Sequence, residues 1–141
     1  MSTYEDSRWE QRLQNYQRAL THLDQAIKIS ETPDFIEYGD LEKQGVIKCF
    51  EMTFDLSWKT MQDYLDEQGY KEKGPKNTIQ QAFKDGLIKD GDAWMKILDG
   101  RNLASHTYDG DMADELIKKI LGDYYLHFDD LDRVLTKIKN G

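Results

Sequence analysis

Apolar residues recur along this chain at steps of three and four, the spacing that places side chains on one face of an α-helix, and the pattern restarts after each cluster of glycine or proline. In the first segment Trp9, Leu13, Tyr16, Leu20, Leu23 and Ile27 form one seam, which predicts a helix ending near Ser30 with Pro33 in the loop beyond it. A second stripe between Gly39 and Gln68 carries Ile47, Phe50, Phe54, Trp58, Met61 and Leu65, widened by Val46 and Leu56, and Gly69 supplies its stop. The stretch GPKNTIQQAF predicts a third, shorter helix with Asn77 and Gln80 at capping-box spacing, Ile79 and Phe83 facing inward, and Gly86 closing it. Asp90 or Asp92 opens a fourth helix through AWMKILDGRNLASH. A left-handed Gly110 and an Asp111 cap then lead into the last helix, Asp111 to about Lys139, with Ile117, Ile120, Leu121, Tyr124, Phe128, Leu131, Leu135 and Ile138 on its apolar face. No segment alternates with period two and β-branched enrichment, so no sheet is expected. The expected fold is all-α: an antiparallel up-and-down four-helix bundle with one additional short helix, a single domain over residues 1–141.

Composition narrows the function. The 141 residues are 38% hydrophobic and 33% charged with a net charge of −8, which opposes general nucleic-acid affinity but leaves room for a small local site or one built between chains. No apolar run reaches membrane-spanning length and MSTYEDSRWEQR lacks a signal-peptide core, so a cytoplasmic protein without a membrane partner is expected. Cys49 stands alone in an apolar stretch and is expected as a plain buried thiol. His22 and His127 lack ligand-spaced companions, so no metal site is expected. Glu51, Asp55 and Lys59, at steps of four, suggest a solvated or ion-paired helix face.

The densest chemistry lies in DGRNLASHTYDGD, residues 99–111. On a helical wheel at about 100° per residue, Leu98, Arg101, Ser105 and Tyr108 fall within about 40° of Trp94. Arg101 thus sits in the middle of an apolar stripe, and a guanidinium cannot shed its charge there. It must meet an acidic partner, a subunit interface, or a cleft open to solvent and ligand. His106 lies about 140° around and about 7.5 Å along the axis from Arg101, and it shares a face with Asn102, which can bond an imidazole nitrogen and fix its tautomer. An arginine and a histidine converging beside a helix junction can hold a phosphate and move a proton. The same residues also fit a plainer arrangement, with Arg101 bridging Asp99 or a neighbouring helix, His106 at a helix terminus and Tyr108 packed.

The segment RNLASHTY, with RWEQRLQNYQRAL, FEMTFDLSWKTMQDYL and GPKNTIQQAFKDGLI before it, resembles the HepT-like branch of the HEPN superfamily, helical proteins also described as nucleotidyltransferase substrate-binding proteins. The resemblance spans nearly the whole chain, and RNLASHTY fits that family's Arg-x4-His-x-Tyr motif. It implies a bundle that dimerises with the motif helices of two chains lining a shared cleft, and a small MNT-type nucleotidyltransferase as partner, the pair behaving as toxin and antitoxin. In that scheme Arg101 and His106 form a metal-independent ribonuclease pair that needs no cofactor. Asn102 is the polar residue that often follows the arginine, and Tyr108 carries the hydroxyl to which the partner attaches AMP. The implied alternative is a non-catalytic subunit that presents nucleotide or substrate to the nucleotidyltransferase, and a purely structural helical dimer is a third.

Overall fold

A computed structural model describes residues 6–30, 40–107 and 110–141. Every element among them is helical: α1 (Arg8–Ser30), α2 (Asp40–Glu67), α3 (Gly74–Asp85), α4 (Gly91–Leu103), a 3₁₀ turn (Ala104–His106), α5 (Gly110–Lys119), a π-helical turn (Ile120–Tyr124) and α6 (Tyr125–Asn140). The protein is all-α, and no strand occurs among the described residues. None of these helices is long and apolar enough to cross a membrane.

Paired side chains fix the directions of the helices. Arg12 meets Asp63 while Thr53 reaches Ala19, so α1 and α2 run antiparallel. Arg101 meets Asp55 while Gln44 meets Thr107, which sets α4 antiparallel to α2. Gly100 faces Tyr124 and Trp94 faces Phe128, which does the same for α4 and the last rod. Tyr125 reaches Asp24 and Gln17 reaches Asp132, closing the circuit between α6 and α1. The result is an up-down-up-down bundle with α3 packed mainly across α2 and α4.

The apolar seams meet in one contiguous core. Tyr16, Phe50, Phe54, Ile97 and Phe128 are fully buried there, and burial of such seams is the main force holding a bundle together. Phe50 stacks on Tyr124 at 5.6 Å between centroids and tilts against Phe128 at 6.0 Å, while Trp94 meets Phe128 edge-on at 5.7 Å. Buried hydroxyls on α2 are satisfied by backbone carbonyls: Thr53 by Cys49, Ser57 by Phe54 and Thr60 by Leu56. Tyr16 donates its hydroxyl to the carbonyl of Phe128.

Helix ends follow local chemistry. Ser7 and Glu10 share a side-chain bond of 2.7 Å at the start of α1. Gly69 (φ 100°) ends α2, and the Tyr70 N–H returns to Leu65; Gly86 (φ 86°) ends α3 in the same way, with Leu87 returning to Ala82. Asp90 caps α4 by accepting the Ala93 N–H at 2.9 Å.

Several sequence expectations change. α3 starts at Gly74, before the expected Asn77 cap, because Pro75 sits in its first turn and Gln62 accepts the Gly74 N–H; Asn77 lies inside the helix. Phe83 is 51% exposed, lying over Gly91 at the surface instead of entering the core. Leu121 and Ile138 also lie exposed, and Trp58 and Leu56 are half-buried. The last rod is interrupted by its π-helical turn, whose extra residue shifts the face that Leu121 was expected to share. Gly110 is the first residue of α5 and not a stop before it, and Asp111 lies in the first turn instead of capping it. Cys49 is half-buried, and burial pushes its thiol pKa up, away from the reactive thiolate. Gly39 and Pro33 lie outside the described residues.

Candidate functional site

The tail of α4 tightens from an α-helix into a 3₁₀ turn over Ala104–His106. At about three residues per turn, positions 104 and 107 align, so Ala104 and Thr107 point inward while Ser105 and His106 face solvent. A uniform α-helical wheel places Ser105 on the stripe of Trp94. Instead its hydroxyl bonds outward to the Asn102 carbonyl at 3.1 Å. The Thr107 hydroxyl donates to the Ala104 carbonyl at 2.9 Å. From α2, Gln44 clamps the same turn: its amide donates to the Thr107 carbonyl at 2.7 Å, and its amide oxygen faces the Thr107 hydroxyl at 3.4 Å. The turn that carries His106 is therefore tied to α2 as well as to α4.

Arg101 finds acidic partners, the first of the three surroundings its position demands. Its Nε lies 3.0 Å from Asp55 Oδ1, its Nη2 lies 3.2 Å from Oδ2, and its Nη1 lies 3.2 Å from Glu51 Oε2. Both carboxylates come from α2, one turn apart, and Asp99 is not involved. The ion-paired face expected of Glu51 and Asp55 is thus the seat of Arg101. Lys59, the third member of that spacing, lies instead over the Trp58 ring at 5.8 Å. The Asp55 hydrogen bonds push the guanidinium pKa still higher, outweighing partial burial, with the nearby Asp55 and Glu51 charges adding to the effect.

His106 is exposed at the end of the 3₁₀ turn, and Asn102 is exposed one turn before it. Among the described residues the expected Asn102–His106 hydrogen bond is not made. That bond needs the α-helical i,i+4 register, which the 3₁₀ turn abolishes. Tyr108 lies outside the described residues. The described stretch thus carries Arg101 on the body of α4 and His106 on a separately anchored turn.

Two features beneath the site had no sequence signal beyond a residue type. A Cβ at Gly100 would come within 2.8 Å of Tyr124 Cε2, so only glycine admits the Tyr124 ring against α4, next to Arg101. Gln44 looks like an ordinary polar helix position until its contact with Thr107 is seen. Beside the turn, a cavity of about 420 Å³ is lined by Lys43, Gln44, Ser105, Thr107 and Gly110, among others; Lys43 is held there by Asp114 at 2.9 Å. Among the described residues no three His, Cys, Asp or Glu side chains gather as a metal-holding group.

The chain is 36% identical over 74 residues to a Haemophilus influenzae protein named probable ribonuclease HepT, a stretch that is 49% of this chain and 51% of that protein. The chain therefore spans about half the length of that curated relative. A crystal structure of a Thermus thermophilus protein superposes with a TM-score of 0.73 at 29% identity, covering 84% of this chain and 98% of that one. A Haemophilus influenzae structure described as the fold of a substrate binding domain of a nucleotidyltransferase superposes with a TM-score of 0.75 at 26% identity, covering 88% and 98%. Residues 11–137 match the family model described as nucleotidyltransferase substrate binding protein like, and the chain belongs to that family.

Proposed function

We propose that this protein is the HepT-like member of a nucleotidyltransferase pair and cleaves RNA without a metal, using Arg101 and His106. The observation that carries this reading is the placement of Arg101: a permanent cation fixed by α2 on α4, one tightened turn from an exposed imidazole. In the reaction His106 takes the proton from a ribose 2′-OH, the 2′ oxygen attacks the adjacent phosphorus, and the bond to the 5′ oxygen breaks. The products are a 2′,3′-cyclic phosphate and a 5′-hydroxyl end. Arg101 stabilises the charge that builds on the phosphorane oxygens, where a fixed cation contributes most. Only two of its five N–H groups are bonded to Asp55, so others remain for phosphate.

One imidazole cannot both remove the 2′ proton and protonate the leaving oxygen in a single step. A homodimer that joins two motif turns across a cleft supplies the second, and also gathers positive charge that a chain of net charge −8 lacks. Exposed Leu103 and Met112, flanking the motif turn, are apolar surface of the kind a second chain covers. The partner nucleotidyltransferase acts as antitoxin by transferring AMP from ATP to the Tyr108 hydroxyl, with release of pyrophosphate and the phenol proton. The added phosphate, two residues from His106, blocks RNA and occupies the arginine. In this reading the pair works in the cytoplasm and residues 1–141 act as one domain.

A second reading is favoured by one observation: Arg101 already faces two carboxylates, so the local charge is unfavourable for RNA. In that reading the protein is a non-catalytic subunit that presents nucleotide or substrate to the nucleotidyltransferase. Purified protein incubated with RNA in the presence of a chelator separates the two. Cleavage that disappears in His106→Ala supports the nuclease. An inert wild type that binds a nucleotidyltransferase only when nucleotide is present supports the subunit. Intact mass of the protein made with and without the partner nucleotidyltransferase, with AMP-sized additions mapped to Tyr108, tests the modification.

A further inference from the structure

The guanidinium of Arg101 faces two carboxylates, although one would neutralise it. Glu51 and Asp55 lie four residues apart on α2, a spacing at which like charges repel, and among the described residues no lysine forms an ion pair with either of them. All three side chains are partly open to solvent: 27% exposed for Arg101, 19% for Glu51 and 38% for Asp55. Ion pairs this exposed add little to stability. The arrangement around Asp63 is the reverse. There one carboxylate, 4% exposed, lies against two arginines, Arg12 at 2.6 Å and Arg8 at 3.6 Å, which is what a structural clasp between helices requires.

The geometry of the Asp55 contact separates the edges of the guanidinium. Asp55 spans Nε and Nη2, the side edge, with two near-parallel bonds that fix both the plane and the roll of the group. The end edge, between Nη1 and Nη2, keeps N–H groups that Asp55 does not use, with Glu51 approaching only Nη1. A side chain as long as arginine loses much rotamer freedom on binding an anion, unless that freedom has already been removed.

We propose that Asp55, assisted by Glu51, is a positioning residue for the reaction: it grips the side edge of Arg101 so that the end edge is already turned to receive the scissile phosphate. The inference rests on the nuclease reading above and deepens it. Asp55 does not touch the RNA; it acts through Arg101. The carboxylates also lower the net positive charge of the site, a cost that the fixed placement of the guanidinium against the phosphorane oxygens outweighs in this scheme.

The test uses the full chain with two readouts. In single-turnover cleavage, Asp55→Ala is expected to slow the chemical step at least tenfold with half-saturation by RNA changed less than threefold, and Asp55→Glu to recover part of the rate. Combined with Arg101→Ala, Asp55→Ala should cost nothing further, since it acts through that side chain. An Asp55→Ala rate within twofold of wild type, or a double variant slower than Arg101→Ala by the full Asp55→Ala factor, overturns the proposal. The second readout needs no cleavage: the Nε–H resonance of Arg101, one of five arginines in the chain. In wild type it should be shifted and slow to exchange, and should stay so when a 2′-O-methyl RNA oligonucleotide is added to saturation. In Asp55→Ala it should join the exposed arginines. If the oligonucleotide releases this N–H from Asp55, the carboxylate competes with phosphate and the positioning role is wrong. A wild type that cuts no RNA defeats the nuclease reading alone, while the resonance still decides what Asp55 does when phosphate arrives.

Discussion

Asp63 and Tyr125 show how single polar side chains in this bundle are held in partly dry surroundings. Asp63 is held by Arg12 at 2.6 Å and is 4% exposed, so Arg12→Ala leaves a nearly buried carboxylate with only the longer Arg8 contact. The expected loss is about 1.5–3 kcal/mol, the worth of a hydrogen bond to a charged group, readable as a lower urea midpoint with unchanged slope. Burial, and then the hydrogen bond to Asp24, push the Tyr125 pKa up to about 12. A folded-state pKa above the unfolded value of about 10 means that Tyr125 contributes stability below that value. That contribution is lost as pH rises from the ordinary tyrosine range towards about 12. Denaturant midpoints measured at mildly and strongly alkaline pH should therefore fall less in Tyr125→Phe than in wild type. An equal fall would show that the hydroxyl plays no part. At the site itself, the misfit of Arg101 on an apolar stripe was visible in the sequence and correctly demanded a partner. Which partner was not visible, because Asp55 is 46 residues away and only the packing of α2 on α4 brings it near.

At the scale of elements, the seams of α1 and α2 were legible because steps of three and four persist over many turns, and the stops at Gly69 and Gly86 because a left-handed glycine leaves a clear mark. What escaped was departure from regular helix. The 3₁₀ turn at Ala104–His106 and the π-helical turn at Ile120–Tyr124 each change the residues per turn, so a fixed wheel misplaces Ser105 within the first and Leu121 within the second. Both irregular turns lie beside the α4 tail, where Tyr124 closes against Gly100. Gly100→Ala should press a methyl group into a ring already stacked on Phe50. The expected cost is about 1–3 kcal/mol of stability, checked by urea denaturation, and a neutral effect would mean that α4 and the last rod do not approach as closely as described. Because Arg101 follows Gly100 directly, the same variant should also disturb the Asp55 contact.

For the molecule as a whole, the up-down-up-down arrangement could be read from the order and length of the helical segments, since short connections leave antiparallel neighbours as the simple solution. The site depends on more than that order. In the proposed reading, an acidic chain that is to hold RNA needs a place where cations gather, and a homodimer with the two motif turns face to face would supply it. Sedimentation at micromolar concentration should accordingly find a dimer; a stable monomer would remove the second histidine on which the acid–base argument depends. In the proposed reaction His106 moves the proton of a ribose hydroxyl. That step is tested most directly by incubating the purified protein with a defined RNA in chelator and analysing the ends. The expected outcome is 2′,3′-cyclic phosphate products, a block wherever a 2′-deoxy sugar replaces the ribose at a mapped cut, and a loss of about 10²-fold or more in His106→Ala. Intact RNA with the wild type, or cleavage that persists in His106→Ala, would contradict it.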